Sequence, residues 1–248
     1  MVPVMADGRP LILALDTATR CSTVSLTRGT LGHGEVLGCL SLSSNVTHSR
    51  RLISTVDRLF QETRAQWADI SAVAVGLGPG SFTGLRIGMA TAKGFAAAAQ
   101  KKLVGVATLE GLAARCLGEL PVYAAIDARK KQVYCAGYSV SAGKRPQMLN
   151  DIQAISPVRL IQQLHEEQHQ QVVIVGDAVH AYGDLWRREL GDMVRFAPAA
   201  LHASSADAIG LICGELLQDG QCLDIASATP FYVRASDAEL SLATKKQR

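Results

Sequence analysis

Short β-branched blocks open the chain, and the apolar positions then switch to a helical period. Residues 11–19 and 21–27 read as strands joined by a short turn, with a third strand over 34–44. From 48 to 63, Leu52, Ile53, Val56, Leu59, Phe60 and Thr63 fall on one face, while Arg50, Arg51, Asp57, Arg58 and Glu62 gather elsewhere, which predicts an amphipathic helix. A buried strand over 70–77, a loop over 78–84, a Gly/Ala-rich helix over 85–100, a strand over 103–107 and a helix over 109–117 complete this half. The pattern then begins again, with strands over 122–126 and 133–140 and a weaker one over 148–155. Ser156 supplies an N-cap hydroxyl and Pro157 a first helical position for a helix running to about residue 168. An apolar strand over 172–175 follows, and Ser204 or Ser205 caps a last long helix ended by Gly220. From 221 onward there is little periodicity.

Two internal matches relate the halves. Ala14-Leu15-Asp16 recurs as Ala125-Ile126-Asp127, and Val73-Ala74-Val75-Gly76 as Val173-Ile174-Val175-Gly176. Each half runs strand, strand, strand, helix, strand. The expected fold is α/β, an actin-like (ASKHA) duplicated two-lobe fold with mixed β-sheets flanked by helices, as in actin, sugar kinases and Hsp70. The expected organisation is a disordered extension over 1–10, an N-terminal lobe over 11–107 rejoined by the last helix at about 204–220, a C-terminal lobe over 108–203, and a tail over 221–248.

Composition narrows the function classes. Hydrophobic residues make up 48% and charged residues 19% of the 248, which is globular. Aromatics at 5% and 22 glycines imply an aliphatic core closely approached by backbone. The net charge of +3 is compatible with work near RNA but does not establish it, and the basic end at 245–248 reads as a frayed terminus. Six cysteines without a C-x-x-C pair argue against a zinc knuckle or redox dithiol and for a reduced, cytoplasmic compartment. Residues 1–10 lack the basic and apolar regions of a signal peptide, and no apolar run is long enough to span a membrane.

Four segments invite chemical readings. The loop Gly78-Pro79-Gly80-Ser81-Phe82-Thr83-Gly84 lies between a buried strand and a helix, where backbone N–H groups can cradle a phosphate. It has no Gly-Lys-Ser/Thr, Pro79 lacks a donor, and the last glycine of a dinucleotide loop arrives one position late. A tight turn with close helix packing is the alternative. Gly88, Ala90, Ala92, Gly94 and the alanines at 96–99 imply close neighbours for the helix that follows, within the lobe or from a second chain. Asp16-Thr17-Ala18-Thr19 stands where actin-like ATPases place Asp-x-Gly-Thr, with Ala18 replacing the glycine. Asp127-Ala128-Arg129-Lys130-Lys131 likewise lacks a glycine, so the phosphate loop at Asp16 and Thr17 reads as degenerate. His165-Glu166-Glu167-Gln168-His169 matches H-E-x-x-H, which on a helix can hold zinc, although it falls at a polar helix end without an evident third ligand. A zinc metallopeptidase using His165 and His169, or an actin-like ATPase using Asp16, is therefore the alternative function. His48 would form a metal pair with position 52, but that position is Leu52.

Together the segments Leu13-Ala14-Leu15-Asp16-Thr17-Ala18, the loop from Gly78 through Gly84 with Leu85-Arg86-Ile87-Gly88, and Pro230-Phe231-Tyr232-Val233-Arg234-Ala235-Ser236-Asp237-Ala238-Glu239 resemble the TsaB (YeaZ) family. The resemblance covers nearly the whole chain. It implies a non-catalytic relative of TsaD, the subunit that transfers threonylcarbamoyl to the adenosine 3′ of the anticodon in tRNA. It also implies pairing with TsaD, a homodimer when alone, association with the TsaE ATPase, a functional link to TsaC, and tRNA met through the complex. No cofactor, metal or membrane is implied. TsaD carries a His-x-x-x-His metal helix, and Leu52 fits loss of the metal from the corresponding segment. Family analogy with helical spacing gives the expected interface as His48, Leu52, Val56 and Leu59 on the first helix, and Leu85, Arg86, Met89, Ala90 and Lys93 on the second.

Overall fold

In the computed structural model the described residues are 8–43, 48–204 and 206–234, the side chains of 48–51 excepted. The N-terminal meander consists of β1 (Leu11–Asp16), β2 (Cys21–Arg28) and β3 (Glu35–Ser43). After α1 (His48–Thr63) come β4 (Ala72–Gly76), α2 (Phe82–Ala98), β5 (Lys102–Val106) and α3 (Thr108–Ala113). The sheet order is β3-β2-β1-β4-β5, antiparallel across β1–β2 and β2–β3 and parallel across β1–β4 and β4–β5. Every residue of β1 and β4 is buried, as expected of central strands covered on both faces by helices.

The second half repeats this plan. It contains β6 (Val122–Arg129), β7 (Gln132–Ser139), β8 (Gln147–Met148), β9 (Gln153–Ile155), α4 (Pro157–Glu166), β10 (Val172–Val175), α5 (Ala178–Leu190), β11 (Val194–Phe196) and α6 (Ala206–Gln218). The order is β11-β10-β6-β7-β8, with β9 also on β7, so β6 stands where β1 does and β10 where β4 does. The chain has the actin-like two-lobe architecture, with a mixed sheet and helices on both faces in each half.

The lobes exchange their last helices. Leu109, Leu112 and Ala113 of α3 pack with Val122, Ala124, Ile126 and Ala136 of the second sheet. Ala206, Ile209, Ile212 and Cys213 of α6 pack with Ile12, Ala14, Ala72, Ala74, Val104 and Val106 of the first. Each sheet is thus covered on one face by the helix that follows the other sheet in the chain.

Several expected bounds shift for local reasons. Helix α2 begins at Phe82 because the Ser81 hydroxyl caps it, accepting from the Gly84 N–H at 3.3 Å. The strand expected over 148–155 divides into β8 and β9, because Asn150 Oδ1 takes the Gly137 N–H at 2.8 Å and replaces a ladder bond. The segments α5 and β11 were not expected from the pattern. Buried Ala178, Trp186 and Leu190 anchor α5, and the Trp186 indole N–H donates to the Pro157 carbonyl at 3.2 Å. Of the extension expected to be disordered, residues 1–7 lie outside the described residues, while Pro10 O accepts from Gly29 N and the Arg9 guanidinium donates to the His33 carbonyl. Ser205, Ser44, and the tail from 235 to the frayed terminus expected at 245–248 also lie outside them. Among the described residues no helix is long and apolar enough to cross a membrane.

Two glycines test how tightly the exchanged helix is seated. A Cβ on Gly214 of α6 would overlap the Gly29 carbonyl oxygen, whereas one on Gly94 of α2 meets nothing within 4 Å. Gly214→Ala is expected to cost about 1–3 kcal/mol through overpacking. Gly94→Ala is expected to gain up to about 1 kcal/mol from helix propensity. Urea unfolding midpoints of the two variants check this.

Candidate functional site

The end of β1 and the start of α2 meet backbone to backbone. Ser81 N donates to Ala18 O at 2.6 Å, and the Thr17 hydroxyl donates to Gly84 O at 2.7 Å. A Cβ on Gly80 would overlap the Ala18 carbonyl, one on Gly84 the Thr17 carbonyl, and one on Gly88 the Thr17 hydroxyl. Side chains at these positions would push the helix off the strand. Pro79 has no N–H, Ser81 N is bonded to Ala18, and Gly84 N is bonded to the cap. Three positions of the loop therefore offer no free donor to a ligand. The loop packs its backbone closely against the end of β1.

Asp16 lies beneath that contact, fully buried, with Oδ1 accepting from Ala18 N at 2.8 Å. Burial raises its pKa to about 6, opposed chiefly by the Ala18 hydrogen bond. Gly76 leaves room for the carboxyl group, since a Cβ there would stand 2.6 Å from it.

Between the lobes runs a cleft with two chambers. One, of about 340 Å³, lies between the Pro79–Phe82 loop, the β6–β7 hairpin and residues 231–234. The other, of about 400 Å³, is lined by Cys21, Ser43, His180 and His202 among others. Thr19, Arg20, Asp127, Arg129 and Asp177 line both. Asp177 Oδ1 accepts from Asp127 N at 2.9 Å, and burial raises the Asp177 pKa. The His202 ring accepts at Nδ1 from Gly176 N at 3.3 Å, and burial holds its pKa down. Arg20, Asp177 and His202 did not stand out in the sequence, because they are far apart along it and belong to no motif.

The tail provides the third wall. Leu223 bridges to Leu103 of β5, and the Lys93 ammonium donates to the carbonyls of Ala226 (2.8 Å) and Ala228 (3.2 Å). Phe231 N then donates to Leu77 O at 2.9 Å, Arg86 Nε to the Tyr232 hydroxyl at 3.2 Å, and the Arg234 guanidinium to Gln132 Oε1 at 2.9 Å. Tyr232 packs on Phe82 with centroids 5.0 Å apart, and Arg86 lies over the Phe82 ring at 3.9 Å. This strap fastens α2 to the β6–β7 hairpin across the cleft.

The expected contact residues divide by burial. Leu52 and Val56 are 1% exposed, Leu59 and Leu85 2% and Met89 4%, so the apolar face of both helices is turned to the core rather than to solvent. Arg86 and Ala90 are exposed, Lys93 is half-buried under the tail, and His48 begins α1 with its side chain outside the described residues. The His165–His169 spacing does not make a metal pair. Helix α4 ends at Glu166 and Gln168 takes φ +54°, which breaks the i, i+4 relation. His169 Nε2 instead meets the Tyr123 hydroxyl at 3.1 Å and Glu167 Oε2 at 2.9 Å. Among the described residues no group of three or more His, Cys, Asp or Glu could hold a metal ion.

The Asp16 environment has a measurable consequence. A carboxyl whose folded pKa lies above its unfolded value makes the native state bind more protons between about pH 4 and pH 6, so stability falls as pH rises through that window. Asp16→Asn removes this dependence. The stability of the native chain relative to the variant is expected to decline by about 3 kcal/mol from below pH 4 to above pH 6, the linkage value of a two-unit shift. Urea titrations of both chains at either end of the window measure it.

The geometry agrees with what similarity to known proteins shows. The family model of TsaD, tRNA N6-adenosine threonylcarbamoyltransferase, matches residues 38–242. The tRNA threonylcarbamoyladenosine biosynthesis protein TsaB of Escherichia coli K12 is 31% identical over 95% of this chain and 99% of its own length. TsaB of Bacillus subtilis 168 is 28% identical over 92% and 96%. A Pseudomonas aeruginosa structure described as similar to the peptidase YeaZ superposes with a TM-score of 0.73 at 25% identity, covering 91% of this chain and all of that one. With a relative so similar along almost the entire length of both chains, and with the glycine loop and tail motifs built into one cleft, the chain belongs to the TsaB (YeaZ) family of tRNA threonylcarbamoyladenosine biosynthesis proteins.

Proposed function

We propose that this chain is the non-catalytic subunit that binds and activates a TsaD threonylcarbamoyltransferase for modification of the adenosine 3′ of the anticodon. The observation that carries this reading is the direct seating of α2 on the end of β1, where Ser81 N donates to Ala18 O and Gly80, Gly84 and Gly88 leave no room for a side chain, so that the glycine loop is spent on positioning the helix. Leu52, packed in the core where a metal helix would place its second histidine, supports it further. The activity then resides in the partner, and this chain contributes a surface, with no cofactor or metal of its own. The compartment is cytoplasmic, where tRNA is modified.

The surface is the outward side of α1 and α2. Leu52, Val56, Leu59, Leu85 and Met89 hold the two helices on the sheet from beneath. Ile53 (56% exposed), Arg86, Ala90 and Gly94 then face outward, and the small side chains of α2 allow another helix to approach closely. TsaD occupies this surface in the complex, and a second copy occupies it when the chain is alone. The TsaE ATPase joins the assembly, TsaC supplies the activated threonylcarbamoyl group, and tRNA is met in the complex.

Gly94 separates docking from folding, because a side chain there has open space around it in the single chain. Gly94→Arg is expected to leave the melting temperature unchanged or raised and to weaken the TsaD complex by about thirtyfold or more, as for loss of a central interface contact. Co-purification and titration calorimetry read the affinity. A tRNA modification assay with and without the chain reads activation, and intact modification by TsaD alone would refute the reading.

A further inference from the structure

The turn joining β6 to β7 is built from residues ill suited to its backbone. Arg129, Lys130 and Lys131 have φ of 62°, 50° and 58°, so three successive non-glycine residues occupy the left-handed region. With Arg129 paired to Gln132, the loop itself is Lys130-Lys131, where a two-residue hairpin with both φ positive favours Asn-Gly. A bulge between Asp127 and Arg129, with Arg129 N donating to Asp127 Oδ1 at 2.9 Å, directs the turn toward the cleft. All three side chains are basic and exposed. A strained backbone held by the surrounding fold is grounds for asking what the unusual residues contact.

Their surroundings point to a polyanion with flat bases. Arg20 lines the same chamber from the first lobe, and Arg234 reaches it on the tail. Two carboxylates, Asp127 and Asp177, line the chamber beside four cations, Arg20, Arg129, Lys130 and Arg234. Asp127 pairs with Arg129 at 3.3 Å, and Asp177 accepts the Asp127 N–H. Phe231 (46% exposed) and Tyr232 (39%) stand at the same mouth. Cations beside exposed rings match phosphates and unpaired bases together, while an acidic protein surface would use only the cations.

We propose that the Arg129–Lys131 tip, with Arg20 and Arg234, contacts the phosphate backbone of the substrate tRNA directly, and that Phe231 and Tyr232 offer a face to an unpaired base. This rests on the tRNA-modification reading above, and it assigns this subunit a share of RNA recognition in addition to docking.

The test uses the full chain, alone and assembled with the TsaD transferase, and a fluorescein-labelled unmodified tRNA transcript followed by anisotropy between about 50 and about 200 mM salt. The double variant Lys130→Asn, Lys131→Gly installs the residues that the turn favours. Its melting temperature is expected to rise by about 2–4 °C, which excludes misfolding as a cause of lost binding. Its RNA affinity is expected to fall about tenfold, and the slope of log affinity against log salt to flatten by about 2, near one unit for each phosphate contact removed. Arg129→Gln should flatten it by about 1. Unchanged affinity and slope in an assembled complex would overturn the proposal and leave the docking role standing. Loss of transferase binding with RNA binding intact would also overturn it, because the occupant of the tip would then be a protein. Failure of the unsubstituted chain to assemble with the transferase would count against the docking role alone, since RNA binding by the isolated chain still decides this proposal.

Discussion

The position of α2 on the first lobe depends on one backbone contact, the Ser81 N–H on the Ala18 carbonyl. Glycines at 80, 84 and 88 recur every four residues, and buried Ala92 and Ala96 continue the same line along α2. This line lets the helix rest on the strand end with no side chain between them. Moving the helix outward by the width of a methyl group would lift Arg86 from Tyr232 and Lys93 from the tail carbonyls. The strap would then lose its anchorage on α2, and the cleft its third wall. A loop with the composition of a phosphate cradle here serves to bring two pieces of backbone together.

Legibility from sequence followed the strength of the period. The α1 bounds and β10 coincide with the expected 48–63 and 172–175, because each is a clean run of one pattern. Helix α5 was missed because its buried positions, Ala178, Gly183, Trp186 and Leu190, are few and its other face carries mixed charges. Periodicity also located the apolar faces of α1 and α2 without saying what covers them. Leu52, Val56 and Met89 could equally have served a core or a partner, and only the sheet beneath them decides. The H-E-x-x-H spacing misled for a related reason. Counting residues assumes a continuous helix, and the left-handed Gln168 ends that assumption before His169.

The cleft was the least legible part. Its walls come from the β1–β2 turn, the glycine loop, the β6–β7 turn, the start of α5 and the tail, which no window of sequence places together. The tail stood out only as a motif, because Lys93 on its carbonyls, backbone bonds at Leu223 and Phe231, and isolated apolar contacts from Leu223, Ile225 and Ala228 hold it, and these leave no hydrophobic period. The repeated Asp16 and Asp127 were the available clue. They mark equivalent strand ends, and in a duplicated fold those ends face each other across the gap.

The exchange of α3 and α6 governs how the chain can be made. The inner face of β1 and β4, with Ile12, Ala14, Ala72 and Ala74, is covered by α6, the last helix of the described chain. During synthesis that face emerges early and waits for Ala206 through Cys213 to follow, while translation proceeds at about 5–20 residues per second. The first lobe therefore cannot complete its core on the ribosome ahead of the second. For the several seconds between them, an aliphatic sheet is exposed to chaperones and to neighbouring nascent chains. The two halves look like separable duplicates, yet one face of the first sheet is closed only by a helix that follows the second.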